Sequence, residues 1–235
     1  MNQKERRILK QTGVIGVTTT IAFTIIMCLS VYFSPWFNLN KNWISELGGS
    51  FGLNPVWSSL GIGSIIFNSG LILTAIFGML FSILLFKSKI FDTKLGKFGI
   101  FSLFIEMIAI FCVGLFPVTL GKIHSLFSSI MFGIIPIILL ALGYELVKIY
   151  GKKWILFTNI LFITSLFSFI IFQFGGSKAI AELIALYSLF LFLTIFCINL
   201  IDNFYVKSVN TLHRNKYYKP TVKIRSILSS IWFKT

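Results

Sequence analysis

Cysteine, histidine and acidic residues are all scarce in this chain, and each scarcity removes a class of function. The three cysteines, Cys28, Cys112 and Cys197, are odd in number, lie inside hydrophobic runs and lack metal-ligand spacing. A disulfide framework and a cysteine metal centre are therefore excluded, and buried reduced thiols are expected. Of the two histidines, His124 opens a hydrophobic run and His213 lies in a basic tail, so the paired axial ligands of a membrane haem are missing. No lysine sits deep in a hydrophobic run, which removes a retinal Schiff base. No cofactor is implied. Only seven Asp and Glu face 21 Lys and Arg, giving a net charge of +14. That excess is not a nucleic-acid footprint, because no zinc-ligand spacing, RNA-binding aromatic motif or soluble helix-turn-helix region accompanies it.

What is abundant is apolar. Hydrophobic residues make up 56% of the chain, charged residues 12%, and there are 27 Phe. That balance is far from a soluble domain and suits a surface facing lipid. A helix needs about 20 apolar residues to cross a hydrocarbon core ~30 Å thick. Six runs qualify, near residues 12–33, 60–86, 97–116, 124–147, 153–173 and 178–201. They must be helices, because lipid offers nothing to pair with an open backbone and no run shows the apolar/polar alternation of a barrel. The sequence thus predicts an all-α membrane protein, a bundle of six transmembrane helices spanning 12–201. Basic tails flank it at 1–11 and 202–235.

The cations set an expected orientation. All but three of the 21 Lys and Arg fall in the amino-terminal tail, the loops after the second and fourth runs, and the carboxy-terminal tail; the exceptions are Lys41, Lys122 and Lys178. Cationic segments stay in the cytoplasm, so both termini are expected inside a cell membrane (N-in/C-in). In the last tail Ile224, Ile227, Leu228 and Ile231 recur at helical spacing beside Lys223 and Arg225, with Trp232 and Lys234 following. That pattern predicts an interfacial helix on anionic lipid.

Chemistry is best sought where polar residues persist inside the membrane, since an ionisable group at mid-bilayer costs at least ~2.5–3.5 kcal/mol. Glu106 lies near the middle of the third run and Asn68 at a comparable depth in the second, so the two are expected to pair. The functional alternative makes Glu106 a proton carrier. A second polar set gathers at the expected outer face: Ser45 and Glu46 before the second run, His124 opening the fourth, Glu182 in the first turn of the sixth. The loop 34–59 carries Trp36, Trp43 and Trp57 and suits a lid. His124 sits at the positive end of a helix dipole, a setting for a neutral ring acting as base or ligand. Glu182 has a plainer reading, a carboxylate favoured by the dipole and paired with Lys178.

Three active-site patterns are weak. Gly48-Gly49-Ser50-Phe51-Gly52 spells G-x-S-x-G without the strand-turn-helix it needs. Gly175-Gly176-Ser177-Lys178 lacks Walker spacing. Glu46, His124 and Glu182 could ligate zinc but have no diagnostic spacing.

Ile44-Ser45-Glu46-Leu47-Gly48, Phe67-Asn68-Ser69-Gly70-Leu71-Ile72-Leu73, and Gly114-Leu115-Phe116-Pro117 followed by His124 resemble, in order and placement, the domain-of-unknown-function 998 family. These are six-helix membrane proteins of archaea and bacteria without an assigned activity. The resemblance covers residues 12–201, implies the six-helix fold, and marks Glu46, Asn68 and His124 as family-like positions. Three functions are compatible with the sequence. One is a non-enzymatic protein that binds membrane lipid or another amphiphile at the outer face, or a subunit of a membrane complex. Another is an enzyme on a lipid headgroup with His124 as base, oriented by Glu46 or Glu182. The third is a small transporter exchanging protons at Glu106.

Overall fold

The computed structural model describes residues 3–49, 61–152, 154–173 and 178–213. Among them there are no strands. The chain forms α1 (Gln3–Tyr32), a 3-10 segment (Ile44–Gly48), α2 (Ile62–Lys87), α3 (Lys94–Leu115), a 3-10 turn (Val118–Leu120), α4 (Lys122–Tyr150), α5 (Trp154–Gln173) and α6 (Lys178–His213). Each of the six α-helices is long and apolar enough to cross a membrane.

Two ends differ from expectation. α1 begins at Gln3 rather than 12, and α6 runs on to His213 rather than stopping near 201. Gln, Lys, Arg and Glu are good helix formers, so the hydrogen-bond ladder continues beyond the hydrocarbon through the basic start of α1. The interfacial helix expected around Ile224–Ile231 lies outside the described residues, as do Trp57, Ser50 to Gly52 and Gly175 to Ser177.

The helices pack in chain order into a closed ring. Each touches its sequence neighbours, α6 returns to α1, and α4 also meets α6. The seams are set by small residues that let backbones approach. Gly70 has no room for a Cβ against Ile26, Gly99 packs on Leu142 and Ala141, and Gly143 on Thr158. Outward faces are apolar: Ile21, Ile25 and Leu29 on α1, and Leu156, Ile160, Ile163 and Phe167 on α5, are all exposed at helical spacing. The interior instead collects the polar groups Asn68, Thr74, Glu106, His124, Ser128, Glu145 and Glu182. This inversion is what a lipid solvent requires. Most hydroxyls turn back on their own helix, as Thr12 does to the Ile8 carbonyl (2.8 Å), Thr19 to Ile15 (2.7 Å) and Ser82 to Gly78 (2.9 Å).

One end of the bundle is basic, holding the start of α1, the loop at 88–93 and residues 151–152. The other is closed by the 3-10 segment Ile44–Gly48, which packs on α2 and α6 and touches the turn between α3 and α4.

Candidate functional site

The segment Ile44–Gly48 is a plug, and its sequence explains how it is seated. Ile44 and Leu47 point inward and are buried. Full burial of such side chains is worth about 1.5–3 kcal/mol each. Glu46 folds back on its own approach, accepting from Asn42 Nδ2 (2.6 Å) and from the Trp43 backbone N–H (3.2 Å). Its carboxylate is therefore spent on shaping the turn.

Two side chains from the bundle tie the plug down. At its start, Glu182 of α6 accepts from the Ile44 N–H, from the Ser45 N–H (3.4 Å) and from the Ser45 hydroxyl (3.4 Å). Its partners are thus on the plug; the expected pairing with Lys178 concerns a side chain outside the described set. At the other end, Asn68 Nδ2 of α2 donates to the Gly48 carbonyl at 2.9 Å. Glycine at 48 lets the two segments approach closely, since a Cβ there would stand 2.5 Å from Asn68 Oδ1 and 3.1 Å from the Phe67 ring and would push the Asn68 amide aside.

The expected Asn68–Glu106 pair does not form. Asn68 turns to Gly48, and both Glu106 oxygens are buried without a hydrogen-bond partner among the described residues. The register of α2 on α3 explains the miss. A Cβ on Gly114 would meet the Asn68 carbonyl oxygen at 2.9 Å and Leu71 Cβ at 3.0 Å. Asn68 therefore lies opposite Gly114, and the chain from Gly114 to Glu106 descends roughly 12 Å at ~1.5 Å per residue.

His124 is held by the turn that precedes it. Pro117 ends α3, leaving the Phe116 carbonyl at the helix terminus, where it accepts from His124 Nδ1 at 2.8 Å. A carbonyl can only accept, so in the neutral ring Nδ1 carries the hydrogen and Nε2 its lone pair. Ser128, one turn along α4, then donates its hydroxyl to Nε2 at 3.1 Å. Ser128 was not singled out from the sequence, although its i, i+4 spacing from His124 was available as a signal. Glu145 was also missed. It is buried near the basic end of α4 and pairs with Lys148 at 3.0 Å, again at a spacing visible in the sequence.

Beneath the plug lies a cavity of about 20 Å³, room for a single water. Its polar lining is Ser45, Ser128 and Glu182, and its apolar walls include Phe23, Leu71, Ile110 and Phe132. Ser45 and Glu182 are in direct contact; His124 reaches the cavity only through Ser128, and Glu46 does not line it. The zinc set of Glu46, His124 and Glu182 is accordingly not assembled, and among the described residues no three His, Cys, Asp or Glu side chains could share a metal. What the arrangement offers is an oriented imidazole, a hydroxyl bonded to it, and a carboxyl across an apolar chamber.

These features define a multi-pass membrane protein, a ring of six helices plugged at one end over a small interior chamber. The family described as "Protein of unknown function (DUF998)" matches residues 16–199, and the chain belongs to it. No curated protein and no solved structure matches the chain.

Proposed function

We propose that this protein sits in a cell membrane with both termini in the cytoplasm and binds the polar end of a lipid or other amphiphile from the outer leaflet beneath the plug. The cavity carries this reading: apolar walls of Phe23, Leu71, Ile110 and Phe132 meet Ser45, Ser128 and Glu182 at one place. Apolar walls with few convergent polar groups are the usual lining of small-ligand sites, and since the closed chamber has room for one water only, a ligand group enters as the plug is displaced. The plug is the door. Its seating combines a few net hydrogen bonds to Glu182 and Asn68, each worth about 0.5–1.5 kcal/mol, with the burial of Ile44 and Leu47, so an amphiphile displaces it by replacing both, its polar end the bonds and its chain the apolar contacts. The test is mass spectrometry of lipids retained on the purified protein, compared with Val113→Phe, which adds bulk to the cavity wall without removing any of its polar groups. One lipid class should be retained by the wild type and lost from the variant. An unselective lipid profile, equal in both, would refute the reading.

A second reading is supported by the Ser128–His124 contact. A serine hydroxyl donating to an imidazole whose other nitrogen is fixed by a carbonyl is the arrangement of a nucleophile and its base. An enzyme on a lipid ester would then be labelled at Ser128 by a fluorophosphonate, and not in His124→Ala. Absence of label on the folded protein would leave Ser128 a binding group only.

A further inference from the structure

Four unpartnered oxygens, carried by three side chains, descend the seam between α2 and α3. Asn68 Oδ1 is at the top beside the plug, Thr74 Oγ1 lies below it, and the two oxygens of Glu106 are deepest; all are buried and unpartnered among the described residues. Thr74 is notable because Thr12, Thr19 and Ser82 all satisfy themselves on their own helix, whereas its hydroxyl does not. Gly78 packs on Met107, which sets Glu106 about one helical turn deeper than Thr74. The cavity ends about one turn above them on each helix. Leu71 and Ile110 line it, Thr74 follows Leu71 by three residues, and Glu106 lies four residues from Ile110, so each stands one turn below a wall residue on the same helix face.

Each of these atoms can accept, the Thr74 hydroxyl and a protonated Glu106 can also donate, and what all lack is a partner among the described residues. A metal cation would need several oxygens converging within ~2.3–2.6 Å of one point, which groups a turn or more apart do not provide. A hydrogen-bonded relay fits such spacing, each link spanning about 2.8 Å: one water fits the cavity above, and the remaining links are waters admitted as the α2–α3 seam opens. We propose that Asn68, Thr74 and Glu106 form a proton path from the plugged end of the bundle, through the cavity, to an exchangeable carboxyl in the middle of the membrane. In the outward step the Glu106 carboxylic O–H gives its proton to a water, the Thr74 hydroxyl accepts one and releases its own, and a hydronium leaves at the plugged end. The carboxylate keeps the negative charge until the reverse transfer restores the acid.

Few other groups compete for that proton. α3 packs on α2 and α4. α2 carries no ionisable side chain between Ile62 and Lys87, and on α4 His124 and Glu145 are each about 15 Å along the axis from the level of Glu106, given that Gly99 faces Ala141 and Leu142. Cys112 is nearly two turns away on α3 itself. Across the bundle are Cys28 on α1 and Glu182 and Cys197 on α6. Cys197, the nearest of these in depth, faces Gly16 in the α1–α6 seam, and α5 has no ionisable group.

Infrared spectroscopy of the protein in liposomes tests this without any ligand, so it succeeds or fails independently of the amphiphile reading. A carbonyl band of a carboxylic acid, assigned to Glu106 by its loss in Glu106→Gln, should shift on transfer to D2O. Thr74→Val should slow that shift by about tenfold or more, equivalent to ~1.4 kcal/mol of barrier, while Thr74→Ser, which keeps the hydroxyl, should not. No such band, a band that does not shift, or equal rates in the valine and wild-type proteins would overturn the proposal.

Discussion

Replacing Glu106 by methionine should make the protein more stable. Its carboxyl is fully buried, and neither oxygen has a partner among the described residues. Leaving a buried polar group unsatisfied costs about 1–3 kcal/mol, more for a charged one. Methionine is unbranched, close in volume and flexible enough to fill the same space, so Glu106→Met removes that cost while keeping the contacts of the side-chain stem. A gain of about 1–3 kcal/mol is expected, and in a chain of this size each kcal/mol moves Tm by roughly 2–4 °C. Glu106→Gln is the control: the amide also lacks a partner, so no comparable gain should appear. Of the three thiols expected to be buried only Cys197 is, Cys28 being exposed and Cys112 half-buried, so in a Cys28→Ser, Cys112→Ser background unfolding in detergent can be followed by a thiol-reactive fluorophore that reaches Cys197 as the bundle opens. A methionine variant that melts below the wild type by a similar margin would refute the reasoning, since it would mean that Glu106 holds something in place.

Gly48→Ala should loosen the plug, as overpacking costs about 1–3 kcal/mol and the new Cβ would stand 2.5 Å from Asn68 Oδ1. In a Ser128→Cys background it should raise thiol reactivity, whereas Gly61→Ala, with nothing among the described residues within 4 Å of its added Cβ, should not. In the loop at the basic end, the hydrogen bond and charge of Lys97, 2.8 Å away, hold exposed Asp92 below the usual carboxylate range, with Lys89 adding to the effect. A depressed carboxylate stabilises the fold at pH above the unfolded value, and that contribution fades as pH falls through the lowered one. NMR titration should therefore find Asp92 moving up towards the ordinary range in Lys97→Ala. Cysteines placed at 36–42 should react with impermeant reagents outside cells and those at 89–92 should not; the opposite pattern would reverse the orientation.

The helices were legible because the bilayer leaves so few ways to bury a backbone. Each apolar run became one helix, and only the ends at Gln3 and His213 strayed, where polar helix formers carry the ladder onward without any hydropathy signal. Side-chain partners were legible only where they lie on one helix or share a depth. Ser128 and Lys148 stand one turn from His124 and Glu145, so both contacts could have been read from spacing alone. Glu182 and Ser45 were grouped by depth, and they touch. The link from Asn68 to Gly48 was not readable, because the path of a short aperiodic segment depends on packing. The assumed Asn68–Glu106 pair failed for a related reason: depth counted from helix ends ignores the offset that Gly114 and Gly78 impose on α2 against α3.

The polar groups inside the bundle divide by what they hold. Glu46, Glu182 and the Asn68 amide nitrogen hold the plug, and their hydrogen bonds account for their presence without any ligand. Glu106 and the Thr74 hydroxyl hold nothing among the described residues, and Ser128 spends its hydrogen on an imidazole instead of its own helix. Stability alone would favour apolar residues at Glu106 and Thr74, since an unsatisfied buried group is a cost with no return in the folded state. The two carboxylates nearest the plug therefore explain how the chamber is closed. Ser128 beside it is already turned to His124, and Thr74 and Glu106 below it are where a proton would find partners that the fold itself has left waiting.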